Sequence, residues 1–419
     1  MSTSGTIHVI GAGLAGLSAA ARLASAGRAV IVHESARNAG GRCRSYFEPA
    51  LGLVIDNGNH LLLSGNHGAI GFLKTIGSEG KLTGPREAEF SFADFATGQR
   101  WRLRPNKGRL PWWILSKTRR VPSTRALDYL PLARLLTARP DQTIAEVIDC
   151  TGPLYKQLWR PVLLAALNTD PREASARLAG AVVRESLARG GAACRPLVAS
   201  GGLGAAFVDP ALAYLKRHAA VVRFGHQLRR LDLAEHRVRA LDFGEDVVEL
   251  TRDDAVILAV PAWVGAALVP ELTAPKQFRA ILNAHFAVPP PRGLPAMQGV
   301  VNATIEWLFS FPDRMSVTVS AADRFSETPR ESIARTIWGE MTTLTGIDAA
   351  MPRWQIIKER RATFAALPEE DACRPGSRTR WHNLVLAGDW TATGLPATIE
   401  GAIRSGNRAA DMVSTAQSC

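Results

Sequence analysis

Three glycines and a glutamate near the start of the chain have the spacing of a nucleotide-binding loop. Gly11, Gly13 and Gly16 follow an apolar run at residues 7–10, and Glu34 comes shortly after them. In such a loop the first glycine allows a tight turn, the second lets a pyrophosphate approach the backbone, and the third permits close helix–strand packing. Glu34 can accept both hydroxyls of an adenosine ribose, and it would repel the phosphate of NADP. The pattern predicts that this loop binds a dinucleotide at a helix N-terminus.

The elements around the loop form the unit that the motif requires. Residues 7–10 are predicted as a buried strand, the stretch LSAAARLASAG as a helix that ends at Gly27, and residues 29–33 as a second strand. Together they make a βαβ unit of about 30 residues. This unit would place the free N–H groups of the helix N-terminus beside the phosphates.

A second glycine turn, Gly40-Gly41-Arg42, follows this unit and carries a fixed cation. The segment from Glu34 through this turn to Ser45 resembles the FAD-binding signature of the amine oxidase and phytoene desaturase superfamily. A bare NAD domain has no need of the second turn, whereas the pyrophosphate and ribitol of FAD extend further across the sheet. The resemblance therefore implies a flavin dinucleotide.

The far end of the chain agrees with this interpretation. Residues 383–411 resemble the second FAD motif of the same superfamily. Gly388-Asp389 would end a strand with a carboxylate placed for a ribitol hydroxyl or for a water near the pyrophosphate. Residues 398–402 would open a helix whose N–H groups can face the N1/C2=O edge of the flavin. Two motifs at opposite ends of the chain thus predict FAD as the cofactor.

The residues expected to contact FAD come from both motifs, from the segment after the second glycine turn and from two loops in between. They are Gly11, Gly13, Leu14, Ala15, Gly16, Glu34, Ser35, Gly40, Gly41, Arg42, Asn57, Gly58, Asn59, His60, Leu228, Pro261, Gly388, Asp389, Thr398, Ile399, Glu400 and Ala402. By the resemblance, the backbone from Gln227 to Arg229 would meet the adenine, and the turn at Pro261 would lie near the pyrophosphate.

The resemblance also implies the fold and its division. We expect an α/β protein with a Rossmann-like FAD-binding domain of the glutathione reductase-2 or amine oxidase type and an interleaved α+β substrate domain. The FAD-binding domain would be discontinuous and would comprise residues 1–80, 195–265 and 376–419. The substrate domain would comprise residues 81–194 and 266–375.

The chemistry has to be argued from the site, because this fold hosts several flavin reactions. Amine oxidases resemble one another in an aromatic cage at the flavin face and in a lysine that holds a water near the flavin N5. Here residues 398–400 contain no aromatic side chain, and residues 284–310 contain no lysine. Amine oxidation is therefore disfavoured. Residues 39–66 and 386–406 resemble most closely the squalene-associated FAD-dependent desaturases, now understood as hydroxysqualene dehydroxylases. That resemblance covers essentially the whole chain. It implies reductive dehydroxylation of hydroxysqualene to squalene, which supplies hopanoid or related triterpene synthesis.

Such a reaction needs a general acid, and Asp56 and His60 are the candidates. Protonation lets the hydroxyl leave as water, and hydride from reduced FAD completes the reduction. The competing interpretation is structural: Asp56 would cap the Asn57-Gly58 turn, and Asn59 with His60 would bind FAD. Glu400 has the same ambiguity, because it can cap its own helix and pair with an arginine one turn later.

Composition adds limits and one further candidate surface. The net charge is +12, with arginine far in excess of lysine, yet no nucleic-acid motif accompanies it. The five scattered cysteines are Cys43, Cys150, Cys194, Cys373 and Cys419, and we expect them to be reduced thiols. No metal site, secretory signal or membrane-spanning segment is expected. Residues 101–120 hold seven basic and no acidic residues together with Trp101, Trp112 and Trp113. This stretch is either a contact with an anionic membrane or a core tryptophan pair beside a solvated loop.

Two other functions share parts of this pattern. A phytoene-type desaturase would use the same fold and cofactor with the electron flow reversed. A flavin-free lipid escort, like the Rab GDP dissociation inhibitors, would not need two intact FAD motifs. The electron donor stays open between NAD(P)H at the same face and a protein or quinone partner. We expect a cytoplasmic protein at the inner face of the cytoplasmic membrane.

Overall fold

The computed structural model describes residues 5–416, so the first four residues and Cys419 lie outside it. In the described range the strands are, in chain order, β1 (Ile7–Ile10), β2 (Val30–Glu34), β3 (Ser45–Glu48), β4 (Leu53–Asp56), β5 (Leu62–Leu63), β6 (Leu82–Thr83), β7 (Phe90–Asp94), β8 (Arg100–Leu103), β9 (Pro196–Ala199), β10 (Val221–Phe224), β11 (Arg230–Leu233), β12 (Val238–Asp242), β13 (Val247–Glu249), β14 (Ala255–Leu258), β15 (Phe278–Phe286), β16 (Met297–Val301), β17 (Trp307–Ser310), β18 (Met315–Val319), β19 (Trp354–Phe364) and β20 (Leu384–Leu386).

The α-helices are α1 (Leu14–Ser25), α2 (His67–Ile76), α3 (Ile144–Val147), α4 (Gly152–Leu154), α5 (Arg160–Leu167), α6 (Ala176–Glu185), α7 (Asp209–Arg217), α8 (Ala262–Leu268), α9 (Arg330–Thr345), α10 (Pro368–Ala372) and α11 (Ile399–Ala416). Among the 3-10 helices, Trp112–Leu115 and Ala126–Thr137 lie between β8 and α3. Short π-helical turns lead into α5 and α7.

A five-stranded parallel sheet forms one half of the molecule. Its order is β10-β2-β1-β14-β20, and every neighbouring pair is parallel. The strands β1 and β14 are wholly buried and apolar apart from His8, as expected of a parallel sheet covered on both faces. The predicted strand–helix–strand unit is confirmed, and so is the α/β class of the chain.

A seven-stranded sheet forms the other half, in the order β19-β15-β18-β17-β16-β7-β8. Alternation along its strands gives it two different faces. One face packs Leu282, Leu308 and Val317 against α9, which contributes Ile337 and Trp338. The opposite face carries large aromatic side chains, and the helical layer at residues 112–185 covers it.

The strands of the parallel sheet all fall within the segments that the sequence assigns to FAD, and those of the seven-stranded sheet fall within the other two. The predicted domain limits themselves stay a prediction. The hairpin of β3 and β4 and the small sheets β11-β12-β13 and β5-β9-β6 complete the strands of the described range. Within residues 5–416 the four cysteines form no disulfide, and no cluster of side chains has the make-up of a metal site. No helix of that range is long and apolar enough to cross a membrane.

Candidate active site

The first glycine loop has the geometry that its sequence predicts. Gly11 has a φ of +105°, a value that disfavours any other residue. A Cβ on Gly16 would lie 1.9 Å from the carbonyl oxygen of Gly11, so only glycine lets α1 start this close to β1. By contrast, a Cβ on Gly13 would meet no atom within 4 Å. The space beside Gly13 is therefore open at the N-terminus of α1, where Leu14 and Ala15 present their N–H groups.

Glu34 ends β2 and is buried beside this loop. One carboxylate oxygen accepts the N–H of Ala12 at 2.7 Å, and the other accepts the N–H of Ala36 at 2.8 Å and the hydroxyl of Ser35 at 3.3 Å. The carboxylate thus ties the glycine loop to the turn after β2. The oxygen that accepts from Ala12 keeps a lone pair for a further donor, as ribose binding would require.

The second glycine turn lies directly against the first loop. Gly40 donates its N–H to the carbonyl of Ala12 at 2.8 Å, and a Cβ on Gly41 would lie 3.5 Å from the Cα of Gly13. Arg42 leaves this turn and donates to the carboxylate of Asp389 at 2.7 Å. This ion pair joins the two predicted FAD motifs, which are 347 residues apart in the chain.

The helix of the second motif, α11, crosses α1 at very close range. A Cβ on Gly406 would lie 2.1 Å from the carbonyl oxygen of Ala15, and the hydroxyl of Ser18 donates to the carbonyl of Ile403. At the start of α11 the hydroxyl of Thr398 accepts the N–H of Gly401 at 3.0 Å, which is an N-cap. Both helix N-termini are thereby held at one edge of the parallel sheet.

Glu400 has a structural task that the sequence did not reveal. Its two oxygens accept the N–H groups of Gly68 and Ala69 at 2.9 and 2.8 Å, so it caps α2 and not its own helix. Arg404 pairs with it at 2.6 Å, as expected of residues one turn apart. Only the backbone of Glu400 is left for a cofactor, as for its neighbours Ile399 and Ala402.

A buried arginine, which sequence reasoning missed, organises the loop after Asp389. The Arg374 guanidinium donates to the carbonyl oxygens of Asp389 and Thr391 and pairs with Asp371 at 2.9 Å. Both side chains of that pair are 1 % exposed. No motif marks Arg374, because its partners are backbone groups brought together by the fold.

Leu228, which is expected to contact the adenine, lies near a chain of contacting imidazoles. Leu228 is buried, and its backbone N–H and C=O make no hydrogen bond with the described residues, which leaves both for an adenine. Nearby, His33 contacts His8 at 3.1 Å and His226 at 2.8 Å, and His226 reaches Asp246 at 3.3 Å. Burial, followed by the two neighbouring histidines and Arg223, lowers the pKa of His33 to about 3. Pro261 is the N-cap residue of α8, in the turn that follows β14.

The two candidate acids, Asp56 and His60, differ in their hydrogen-bond partners. Asp56 is buried at the end of β4 and accepts the hydroxyl of Ser45 and the N–H of Leu203. Burial raises the pKa of Asp56, against the lowering effect of those two donors. His60 has no hydrogen bond to the described residues, and burial with nearby Arg42 lowers its pKa to about 4. The assignment of either residue as the acid stays a prediction.

Polar side chains from the seven-stranded sheet meet the segment 57–60. Asn57 donates to Glu359 on β19 at 3.1 Å. Asn59 donates its N–H to Asn283 on β15 at 3.3 Å and its amide to Thr318 on β18 at 3.1 Å. A Cβ on Gly58 would lie 3.1 Å from the amide of Asn283. Sequence reasoning missed Glu359, Asn283 and Thr318, because isolated polar residues on strands match no motif.

The tryptophans of residues 101–120 do not form one exposed group, which corrects part of the membrane prediction. Trp101 is 7 % exposed and stacks on Phe92, and Trp113 is 5 % exposed and packs edge-on against Tyr129. Both rings belong to the core because the strand β8 and the 3-10 helix turn them inward. Trp112 is 53 % exposed, and the Arg119 guanidinium lies 4.9 Å from its ring centre.

These features fit FAD by observations independent of any motif. Any side chain at position 13 would enter the open space beside the loop. The backbone N–H and C=O of buried Leu228 have no hydrogen-bond partner among the described residues. The residues that would hold the cofactor are thus the two glycine turns, Glu34, the N-termini of α1 and α11, and the segment 57–60.

Comparison with known proteins agrees with this fit. The model of the flavin-containing amine oxidoreductases matches residues 14–289 and 298–414. The chain is 58 % identical to a hydroxysqualene dehydroxylase of Rhodopseudomonas palustris, with 98 % of both chains covered. It is 54 % identical to a hydroxysqualene dehydroxylase of Sinorhizobium fredii, with 97 % of both chains covered.

A solved structure extends the likeness to the fold. The chain resembles the cyclohexylamine oxidase of Brevibacterium oxydans with a TM-score of 0.69 and 18 % sequence identity. The match covers 98 % of this chain and 99 % of that one. The chain therefore shares its overall fold with that oxidase despite the low sequence identity.

Proposed function

The chain belongs to the family of flavin-containing amine oxidoreductases and, within it, to the hydroxysqualene dehydroxylases, and on this premise we propose that it reduces hydroxysqualene to squalene. FAD is its cofactor. The observation that carries the proposal is the Arg42–Asp389 ion pair, because it locks the two FAD motifs into one cradle. A flavin-free escort would have no use for that cradle, and the desaturase alternative becomes an outcome of the test below.

The proposed reaction removes one oxygen from an isoprenoid alcohol. The hydroxyl oxygen takes a proton, the C–O bond breaks, and water leaves with the bonding electrons. The carbon would take a hydride that reduced FAD supplies when bound, so that alcohol and reduced FAD would give hydrocarbon, water and oxidised FAD. The protein has to exclude other water and to hold the proton that the hydroxyl takes.

We propose that the proton comes from Asp56 or His60, for which the structure gives opposite advantages. The raised pKa of Asp56 suits an acid, but Ser45 and Leu203 both donate to its Oδ1, and these hydrogen bonds favour the ionised form. His60 has no competing hydrogen bond, but its pKa of about 4 keeps it neutral near pH 7. An anion beside His60 would raise that pKa. Asp56→Asn and His60→Gln distinguish them: loss of the acid lowers the rate of turnover per bound flavin and alters its pH profile, whereas loss of a residue that only binds FAD lowers the flavin content.

The test of the activity is anaerobic and has two readouts. Photoreduced holoprotein is mixed with hydroxysqualene, the flavin band near 450 nm is followed, and the lipid is analysed by mass spectrometry. We expect the band to return as squalene forms in equal amount. A flavin that stays reduced while the alcohol persists would contradict the proposal, and oxidised enzyme with saturated polyprenes would then test the desaturase.

We also propose that the enzyme works at the inner face of the cytoplasmic membrane, where such a substrate would dissolve. Its contact would be the Trp112 surface, defined here as five exposed apolar residues of the two 3-10 helices and the turn before them: Leu110, Trp112, Leu115, Leu127 and Leu130. The contact between Trp113 and Tyr129 holds the two 3-10 helices side by side. Basic residues without acidic ones flank Trp112, which suits anionic headgroups.

A sedimentation assay tests the membrane contact. The double substitution Trp112→Ser with Leu115→Ser should weaken binding to vesicles containing anionic lipid by at least about tenfold, because two apolar side chains are withdrawn. Phe47→Ser is the matched control, since Phe47 is equally exposed but lies on the hairpin of β3 and β4. Equal binding of the double variant and the control would overturn the assignment of this surface.

A further inference from the structure

A single row of side chains crosses the seven-stranded sheet on the face that the helical layer covers. The strand register places Trp101 opposite Phe92, Phe92 beside Gly299, and Gly299 opposite Trp307. Continuing across the sheet, Trp307 lies opposite Thr318, and Thr318 lies opposite Asn283. Directly opposed residues share a face, so the row is aromatic at one end and polar at the other.

The aromatic half of the row depends on Gly299. The Phe92 and Trp101 rings are stacked with centroids 5.5 Å apart, and Phe92 meets Trp307 edge-on at 5.8 Å. A Cβ on Gly299 would lie 2.6 Å from the Phe92 ring and 3.2 Å from the Trp307 ring. Glycine therefore lets the two rings meet across β16 and form a continuous aromatic bed.

Two hydrogen-bond donors in this bed lack acceptors. The indole N–H groups of Trp101 and Trp307 are buried, and neither has a partner among the described residues. The two side chains belong to residues that are 7 % and 6 % exposed. A buried N–H without an acceptor is destabilising, and buried indoles usually find a partner. Unpaired donors of this kind point to a ligand with an acceptor oxygen.

The polar half of the row supplies the complementary acceptor. The Thr318 hydroxyl donates to Asn283 at 2.8 Å, and the Asn59 amide donates to Thr318 at 3.1 Å. These bonds orient the Asn59 side chain, whose Oδ1 is buried and has no donor in the described range. An unpaired acceptor thus adjoins the end of the row at Trp307. It belongs to the segment 57–60, which would face the cofactor.

We propose that this row binds an isoprenoid alcohol, an assignment that rests on the proposed function. The substrate hydroxyl accepts from the Trp307 indole N–H and donates to Asn59 Oδ1, and the hydrocarbon chain lies along Phe92 and Trp101. This arrangement puts the carbon that bears the hydroxyl at the polar end, nearest the cofactor segment. The ring faces also favour the positive charge left on that carbon when water departs.

The test compares two ligands on the oxidised holoprotein, in which no turnover occurs. Dissociation constants for hydroxysqualene and squalene are measured from the perturbation of the flavin spectrum. We expect the wild-type protein to prefer the alcohol, and Trp307→Phe to reduce that preference about three- to tenfold, since one hydrogen bond is lost and the ring is kept. Affinity for squalene should not change. Trp338→Phe is the matched control, because Trp338 packs on the opposite face of the same sheet.

The outcomes separate this inference from the proposed function. An unchanged preference in Trp307→Phe, or equal binding of both ligands by the wild type, would overturn the row as the hydroxyl site even if the enzyme makes squalene. A preference that Trp307→Phe abolishes would support the site even if the reduced wild type made no squalene. If Trp307→Phe loses FAD, Thr318→Val replaces it, since that variant removes the hydroxyl that orients Asn59 at constant volume and should reduce the preference likewise.

Discussion

The parallel-sheet half and the seven-stranded half of the molecule build their sites by different means. In the parallel-sheet half the groups that would face the cofactor are mainly backbone, presented by two glycine turns and two helix N-termini. In the seven-stranded half the proposed alcohol site consists mainly of side chains, in a row with one residue from each of six neighbouring strands. A backbone site depends on the absence of side chains, whereas the row from Trp101 to Asn283 depends on side chains that meet only in register. The two halves should therefore respond differently to the same kind of substitution.

The largest effect is expected where the halves meet, at Arg374. In Arg374→Met the buried Asp371 keeps only Arg177 as a partner, and the carbonyl oxygens of Asp389 and Thr391 lose their donor, so the free energy of unfolding should fall by about 3–5 kcal/mol in total. The loop after Asp389 loses its support as well, so FAD should dissociate more readily. Chemical denaturation and the flavin content of the purified protein check both. Arg380→Met is the control, because the exposed pair of Arg380 with Glu271 should contribute less than about 1 kcal/mol.

Two glycines, one in each half, give the sharpest contrast. In Gly16→Ala the new methyl would lie 1.9 Å from a backbone oxygen that cannot move, so we expect a loss of about 3 kcal/mol or more and no bound FAD. In Gly299→Ala it would press on two aromatic rings that can shift, so about 1–3 kcal/mol is expected with FAD retained. Thermal unfolding measures the loss of stability, and a flavin assay measures how much FAD each variant retains. Equal damage from both would contradict the distinction between backbone and side-chain sites.

A smaller effect is expected at Glu34, whose carboxylate serves both the fold and the cofactor. Glu34→Ala leaves the N–H groups of Ala12 and Ala36 without their acceptor and removes the partner of the ribose, at about 1–3 kcal/mol. FAD affinity should fall about 10- to 100-fold in a titration of the apoprotein. Glu235→Ala, at an exposed position, is the control. Full affinity in Glu34→Ala would refute the ribose assignment.

The smallest effect concerns the pH dependence of stability, which we expect from the contacting imidazoles of β1 and β2. The pKa of His33 is about 3 in the folded protein and about 6.5 when unfolded, so the unfolded chain binds more protons between these values. Stability is then complete above pH 6.5 and is lost as the pH falls toward 3, by about 1 kcal/mol at pH 6. His33→Phe should flatten this slope, and unfolding curves between pH 5 and 8 would show it. His8, whose pKa burial also lowers, should leave part of the slope in place.

The sequence was informative about the cofactor half because its motifs are contiguous. The strand, helix and strand around Gly11 fall within three residues of their predicted ends, since glycine spacing and apolar runs record them directly. The roles of single side chains were harder to predict. Glu400 carries a capping signal, but the helix that it caps, α2, lies more than 300 residues away in the chain.

The other half shows why the remainder could not be predicted. Trp112 and Trp113 are adjacent and chemically identical, yet one is exposed and the other is core, because a 3-10 helix points them to opposite sides. The row on the seven-stranded sheet needs a register between strands that no local pattern specifies. Asn283 and Thr318 are ordinary strand residues until the fold places them side by side.

The close crossing of α1 and α11 at Gly406 has a consequence for how the protein is made. Helix α1 leaves the ribosome well before α11, because most of the described residues lie between them in the chain. Until α11 follows, the N-terminus of α1 lacks the partner helix, and Arg42 lacks Asp389. Acquisition of FAD must therefore wait until α11 has been synthesised. A shortened chain that ends before α11 should emerge colourless, however well its first glycine loop has folded.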